Sequence, residues 1–523
     1  MDTQAASPWR IAQETPERLA IVMADTGEAA TYGEMISRAN RLAHVFMEYG
    51  LEEGDTVAYF LENQPRYLEA VWAAKITGLY YVCISRQLNA ADVAYILDNS
   101  QSKALITSRA LAATAAEAVD RVASRRLRLL MMNGAVDGFD PYEDAIAGAS
   151  ARMPEGRRRG TSMLYSSGTT GRPKGVRFPL VDISPHVPPS RHGFLMSEYG
   201  FSADTTLLNP GPYYHASPLR IMMHAQRVGA TVIGFAKFDA EKVLRAIGEH
   251  RATHGVFVPT MFVRMLALPA PFRESVDVSS MRYAIHQAAP CPVSVKERMI
   301  AWWGPVIHEM YGGSEGNGTT LINSRDWMSH KGSVGRPSGG VEVHIVDEKG
   351  DEQPPGAAGL VYFGKGRTFE YFNEPEKTAS IRHAKGWTTL GDIGYVDEDG
   401  FLYLTDRQSN MIISGGVNVY PQEAENVLAA HPDIADVAVI GVPNSDFGEE
   451  VKAIVVPRVP LGDEARKRVL AADIISFCRA ELSAFKCPRS VDFVESLPRG
   501  EAGKLLKREI RKPYWPEGSD LTS

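Results

Sequence analysis

The sequence predicts an α/β fold in two unequal parts: a large N-terminal domain of doubly wound α/β subdomains ending in a β-rich region, and a small α+β C-terminal domain. Three observations predict it. Short buried-strand signals alternate with helical patterns early in the chain and again near residues 256 and 306. From Gly332 to Asp406 the texture changes to short strands between Gly, Pro and Asp turns. After Asp406 a shorter segment carries its own strands and helices.

The elements follow in order. Thr56–Leu61 reads as a strand after the Glu53-Gly54-Asp55 turn. Pro65 opens a helix that places Leu68, Val71, Trp72 and Ile76 on one face, and Gly78 stops it. Leu79–Ile84 is a second strand, Asn89–Leu97 a helix and Ala104–Thr107 a third strand. This β-α-β order implies a parallel sheet covered on both faces, with ligands beyond the carboxyl ends of its strands. Val256–Val258 before Pro259, and Val306–Met310 before a Gly-rich turn, repeat the pattern. Pro354-Pro355-Gly356 and Asp397-Glu398-Asp399-Gly400 punctuate the β-rich region. Beyond it come a helix at Gln422–Ala430, strands near Ala435–Val442 and Val451–Val456, and a helix near Ala471–Leu482. The expected domains are 1–406 and 407–523, the second being about 115 residues, an ordinary domain size.

Bulk properties exclude several classes. The 523 residues are 44% hydrophobic and 23% charged, with a net charge of −7. That balance leaves no basic footprint for nucleic acid or a membrane surface. Arg157, Arg158 and Arg159 form the densest basic run and read as a solvated loop. Cys83, Cys291, Cys478 and Cys487 form no CxxC pair, which points to a reducing compartment. No signal peptide is visible at the N-terminus, and no run reaches the ~18 apolar residues of a transmembrane span. The expectation is a soluble cytoplasmic protein.

The stretch from Tyr165 to Gly175 carries the most chemistry. Ser166, Ser167, Thr169 and Thr170 supply hydroxyls; Gly168, Gly171 and Gly175 let backbone N–H groups line an anion-sized concavity; Lys174 adds a point charge. The G-x-x-x-x-G-K-[ST] pattern is absent, which disfavours a P-loop kinase or GTPase.

This loop resembles the phosphate-binding loop of the adenylate-forming superfamily, which comprises acyl-CoA synthetases, aryl-CoA ligases, luciferases and peptide-synthetase adenylation domains. Four further stretches match in the family's order. They are Tyr311-Gly312-Gly313-Ser314-Glu315, Thr389-Leu390-Gly391-Asp392, Asp406-Arg407 with Gly415-Gly416, and Pro498-Arg499-Gly500-Glu501-Ala502-Gly503-Lys504. The resemblance covers nearly the whole chain. It implies a β-barrel-like region closing the large domain and a mobile small domain.

The resemblance also implies roles. ATP or AMP would lie against Ser166, Ser167, Gly168, Thr169, Thr170, Gly171, Lys174, Ala288, Ala289, Pro290, Tyr311, Gly312 and Ser314, with Asp392 and Arg407 on the ribose and Tyr311 stacked on adenine. Glu315 would hold Mg²⁺, which in nucleotide sites takes one or two carboxylates plus phosphate oxygens. Lys504 would bridge the substrate carboxylate and the α-phosphate as the catalytic lysine, leaving Lys174 with the pyrophosphate side. The co-substrate CoA would meet Ser414, Gly415, Gly416, Phe447, Lys486 and Arg489, with His215 gating its tunnel. The acyl pocket would combine Tyr213, Tyr214, Met222, Met223 and Gly313, an apolar lining suited to a fatty, aryl or polycyclic acid. Between Leu207 and Gln226 there is no aspartate to hold an α-amine, which argues against amino acids. At the pivot, where relatives have Asp or Lys, this chain has Ser409.

The expected activity is therefore an AMP-forming acid–CoA ligase using ATP, Mg²⁺ and CoA on a small-molecule carboxylic acid, with room for a homodimer. Its rivals are an acyl-AMP ligase loading a carrier protein, a luciferase-like oxygenase and a non-catalytic nucleotide-binding regulator.

Overall fold

A computed structural model describes residues 7–122, 127–155, 158–166, 173–188, 190–414, 417–500 and 503–515. Ser167–Gly171, Gly415, Gly416 and Arg157 lie outside the described residues.

Sequence patterns set the N-terminal elements. The strands Thr56–Phe60 and Tyr80–Ile84 are buried at every position, as a sheet covered on both faces requires. Between them runs the helix Pro65–Ile76, with Pro65 in its first turn. Asn89 accepts from the Asp92 amide and so caps Ala90–Asn99. These elements belong to a six-stranded sheet whose described pairings are all parallel.

The second sheet has thirteen strands among the described residues. Its parallel part runs Leu19–Met23, Thr231–Gly234, Thr206–Asn209, His254–Phe257, Tyr283–His286 and Ile307–Tyr311. The β-rich region continues the same sheet antiparallel, through Thr320–Ile322, Ser333–Pro337, Leu402–Arg407, Thr388–Val396, Gly359–Gly364 and Glu342–Val346. Asp392 and Arg407, fifteen residues apart in sequence, thereby become cross-strand partners.

The C-terminal segment has a core of its own, built from Val439, Ala453, Val455, Ile474 and Cys478 among others. Ile434–Asn444 pairs antiparallel with Gly448–Pro457, and Ser490–Phe493 adds a parallel strand. One helix is longer than its pattern predicts. Glu464–Glu481 begins two turns before Ala471, started by Asp463 accepting from the Arg466 amide. Those turns are charged and exposed, so they carry no apolar period to read. No helix among the described residues is long and apolar enough to cross a membrane.

Candidate active site

The site forms where the parallel strands end. Tyr283–His286 runs into the Gln287–Pro290 turn, in which Ala288 takes a left-handed φ of 74°. Ile307–Tyr311 runs into Gly312–Glu315. The two turns and the helix Ala216–Arg227 are tied together: Ser217 Oγ lies 2.5 Å from Gln287 Oε1, and Arg220 donates to the Ser314 carbonyl at 3.1 Å. Gly312 admits the backbone of Gly318, whose carbonyl oxygen would lie 2.7 Å from an added β-carbon.

Two residues from distant motifs converge on the carboxylate of a third. The Tyr311 hydroxyl donates to Asp392 Oδ2 at 2.6 Å, and Arg407 Nε lies 3.1 Å from Asp392 Oδ1. Asp392 is buried, so both contacts are strengthened by the low dielectric. Burial and Asp392 hold the Tyr311 phenol well above its ordinary range; Asp392 likewise raises Arg407. Tyr311 packs its ring at a tilt against Phe363, 6.0 Å between centroids.

Glu315 is buried and accepts from the Tyr371 hydroxyl at 2.9 Å. Tyr371 also faces Lys174, whose ammonium sits 5.9 Å from the ring centroid. Burial, then Lys377, lowers the Lys174 pKa. Lys174 lies opposite Ser166 in a short antiparallel pair, so the strand ends flanking Ser167–Gly171 are fixed. Gly313 is packed tightly: an added β-carbon would meet Glu315 Oε2 at 2.5 Å and Leu390.

Lys504 reaches this cluster from the C-terminal segment. Arg407 and burial depress its pKa to about 8, with Asp392 and Glu315 acting in the opposite direction. The preceding residue, Gly503, has a φ of +73°, and a β-carbon there would run into the Thr260 Oγ1 of the large domain. The loop docks closely because that side chain is missing.

The junction is held on the other side. The Asp406 carboxylate accepts from the Arg407 and Gln422 amides and from Asn410 Nδ2, and Lys507 lies 3.9 Å away. Lys507 also pairs with Glu425 at 2.8 Å. Ser409 sits half-buried in the short turn Gln408–Asn410 between these anchors.

The remaining expected residues fall into separate groups. Ser414 pairs with Gly448 beside Phe447, and the Arg489 guanidinium lies 4.0 Å over the Phe447 ring. Lys486 instead pairs with Glu423 at 2.7 Å. His215 precedes the helix Ala216–Arg227 and packs on Tyr214, 4.4 Å between centroids. Met222 is fully buried, and Met223 receives the Tyr81 hydroxyl at 3.9 Å. Tyr213 is a core residue rather than a pocket wall, its hydroxyl 3.5 Å from Met23 Sδ and its amide on Asn63. Arg158 is exposed, as a solvated loop requires, and pairs with Glu53 at 2.7 Å, while Arg159 is half-buried and donates to the Val187 carbonyl.

Three participants escape a sequence reading. Tyr371 sits in a two-residue strand with no motif around it. Arg220 lies in the helix after His215, where its charge against an apolar run was the available signal. Arg499, inside the lysine motif, donates to the Gly503 carbonyl.

Residues 8–370 match the AMP-binding enzyme family, and 423–504 match the AMP-binding enzyme C-terminal domain. The chain is 32% identical to feruloyl-CoA synthase of Amycolatopsis sp, over 98% of this chain and 100% of that protein. It is also 32% identical to long-chain-fatty-acid–CoA ligase FadD13 of Mycobacterium tuberculosis, over 97% and 98%. It superposes on ATP-bound MatB from Rhodopseudomonas palustris with a TM-score of 0.83 at 30% identity, covering 98% of this chain and 99% of that one. Against apo MatB the TM-score is 0.73, so the arrangement of this chain is nearer the ATP-bound form. The family match over most of the chain, and a site drawn from its successive motifs, identify the protein as a member of the adenylate-forming AMP-binding enzymes.

Proposed function

We propose that the protein is an acid–CoA ligase, which converts a carboxylic acid and ATP to acyl-AMP and pyrophosphate, then passes the acyl group to the CoA thiol with release of AMP. The observation that carries this reading is the meeting of Lys504 with the Tyr311–Asp392–Arg407 cluster, a basic group from one domain set against a nucleotide-type site in the other.

In the first step the substrate carboxylate attacks the α-phosphorus and pyrophosphate leaves. Asp392 accepts from the ribose hydroxyls, with Arg407 steering it. The Lys504 ammonium draws the attacking carboxylate to the α-phosphate and offsets the charge that develops on its oxygens. Lys174 and the Ser166–Gly175 loop hold the leaving group, and the turn Ala288–Pro290 borders the adenine. Glu315, a buried carboxylate in the turn after a strand, fits a Mg²⁺ ligand; the ion neutralises phosphate charge when bound.

In the second step the domain from 407 onward turns about the segment containing Ser409, withdraws Lys504 and brings Ser414–Gly416, Phe447, Lys486 and Arg489 to the tunnel beside His215. Tyr214, Met222 and Gly313 border the acid. The four free thiols support a reducing, cytoplasmic setting.

The test is acid-dependent AMP release across fatty, aryl and polycyclic acids, with and without CoA. AMP and acyl-CoA in equal amounts support the ligase. Acyl-AMP formation that is indifferent to CoA points to a carrier protein as acceptor, and no acid-dependent AMP sinks the reading. In the same assay Lys504→Ala stops adenylation but spares thioesterification of supplied acyl-AMP.

A further inference from the structure

A small hydrophobic core, separate from the larger ones, sits beside the site. Val176, Phe178, Phe369, Tyr371 and Ile381 form it. It joins the strand Lys174–Arg177 to the strand Glu370–Tyr371, which pairs with it antiparallel and sets Tyr371 opposite Val176.

Tyr371 is fixed from its backbone outward. Its amide donates to Thr378 Oγ1 at 2.9 Å, and its carbonyl accepts from the Glu374 amide at 3.0 Å. The next amide, of Phe372, donates to the Gly175 carbonyl at 2.8 Å. The ring packs edge-on against Phe369, 5.6 Å between centroids. A phenylalanine would fill this core equally well, so packing does not account for the hydroxyl. A buried phenol needs an acceptor. The hydroxyl leaves the core and finds Glu315 Oε1 at 2.9 Å.

The turn that carries Glu315 is tied to the same core at a second place. Phe178, the residue after the strand Lys174–Arg177, lies 3.5 Å from where a β-carbon on Gly316 would stand, and Gly316 has a φ of +60°. Arg220, which donates to the Ser314 carbonyl, lies 5.5 Å from the Phe178 ring centroid. Residues 314 to 316 are thus braced against the core from two sides. The other carboxylate oxygen, Glu315 Oε2, lies over Gly313, 2.5 Å from where a β-carbon would stand, so only glycine leaves room for it.

We propose that Tyr371 is a positioning residue for the Mg²⁺ ligand. By donating to Oε1 it fixes the Glu315 carboxylate and leaves Oε2 to the ion, so the strand that bears Lys174 and the metal carboxylate are set as one unit. This rests on the Glu315 role in the ligase reading above. Hydrogen-bond partners of a metal ligand orient it, and losing one typically costs ten- to a hundredfold in metal affinity.

The experiment is calorimetric titration of the full chain with ATP, in EDTA and in excess Mg²⁺, with neither acid nor CoA present. The ratio of the two dissociation constants measures what the ion adds. Tyr371→Phe should cut that ratio about tenfold, while its affinity for metal-free ATP and its melting temperature stay at the wild-type values. Glu315→Gln should lose the same gain, and adding Tyr371→Phe to it should change nothing further, because the two residues act through one carboxylate. An unchanged ratio in Tyr371→Phe overturns the proposal. So does an equal fall in both affinities, which would make Tyr371 a support of the core alone, and so does additivity in the double variant. Wild-type ATP binding that ignores Mg²⁺ overturns the proposal too, but leaves the ligase reading to acid-dependent AMP release. Absence of ATP binding overturns both.

Discussion

Arg499 donates to the carbonyl of Gly503, the residue immediately before Lys504, at 2.6 Å, while its other nitrogens grip the Asp436 carboxylate at 2.7 and 3.0 Å. The lysine loop is thus bolted to the strand Ile434–Asn444 of its own domain. Arg499→Met should lower adenylation by about ten- to a hundredfold through misplacement of Lys504. Thioester formation from synthetic acyl-AMP should hold near the wild-type rate. Arg499→Lys should recover little, because an ammonium cannot span both acceptors as a planar fork does. Equal loss in both partial reactions would show that Arg499 serves the fold alone.

The Lys504 pKa of about 8 sets a pH dependence. The bridging role needs the ammonium, and the empty site favours the neutral amine. Adenylation kcat/KM for ATP should therefore be full below about pH 8 and fall as pH rises through it. Docking of the empty loop has the opposite sign: a lowered folded pKa means that the docked form binds fewer protons, so docking strengthens as pH rises from about 8 toward the ordinary lysine range. Arg407→Gln removes the largest depressing influence and should move the alkaline limb upward. A pH profile of pyrophosphate release, unchanged in Arg407→Gln, would contradict this.

Asp392 holds both Tyr311 and Arg407 and is the proposed acceptor for the ribose hydroxyls. Asp392→Asn should raise the KM for ATP about ten- to a hundredfold, the worth of charge-assisted hydrogen bonds in a buried site. Deoxy-ATP discriminates: the wild type should lose activity with 2′- and 3′-deoxy-ATP, and the variant should treat them and ATP nearly alike. Strong discrimination by Asp392→Asn would place the ribose elsewhere.

Beside the Gln287–Pro290 turn, Lys296 and Glu309 form a buried ion pair at 2.6 Å, with His286 3.5 Å from the same carboxylate. Burial raises the Glu309 pKa and lowers that of His286. Glu309→Ala strands a buried ammonium and should cost about 3–5 kcal/mol. The double variant Lys296→Met/Glu309→Met should recover most of that loss, read as the melting temperature of each protein. A double variant as unstable as the single would mean that packing, not the stranded charge, sets the cost.

The fold was legible where local chemistry dictates it. Pro65 and Gly78 bracket a helix, Asn89 starts another, and uninterrupted apolar strands announce a sheet covered on both faces. The charged start of Glu464–Glu481 was not legible, because exposed turns held by a cap carry no apolar period. In the site, Asp392, Arg407, Glu315 and Lys504 were legible from ordered motifs. Tyr371 and Arg220 were not: each acts through a neighbour brought close by the sheets, and nothing in its own stretch records that neighbour. Arg159 misled for the same reason, since a basic residue looks solvated until the Val187 carbonyl arrives from elsewhere.

Asp406 and Arg407 are chain neighbours at the end of one strand, yet they answer to opposite halves of the molecule. The first is claimed by Gln422, Asn410 and Lys507, the second by Asp392. In the two-step cycle proposed above, a swing of the C-terminal segment, tied to Asp406 through Gln422 and Lys507, would tug on the residue that steadies Asp392. On that reading, letting go of the nucleotide and turning the lid draw on the same few covalent bonds, those of a single dipeptide.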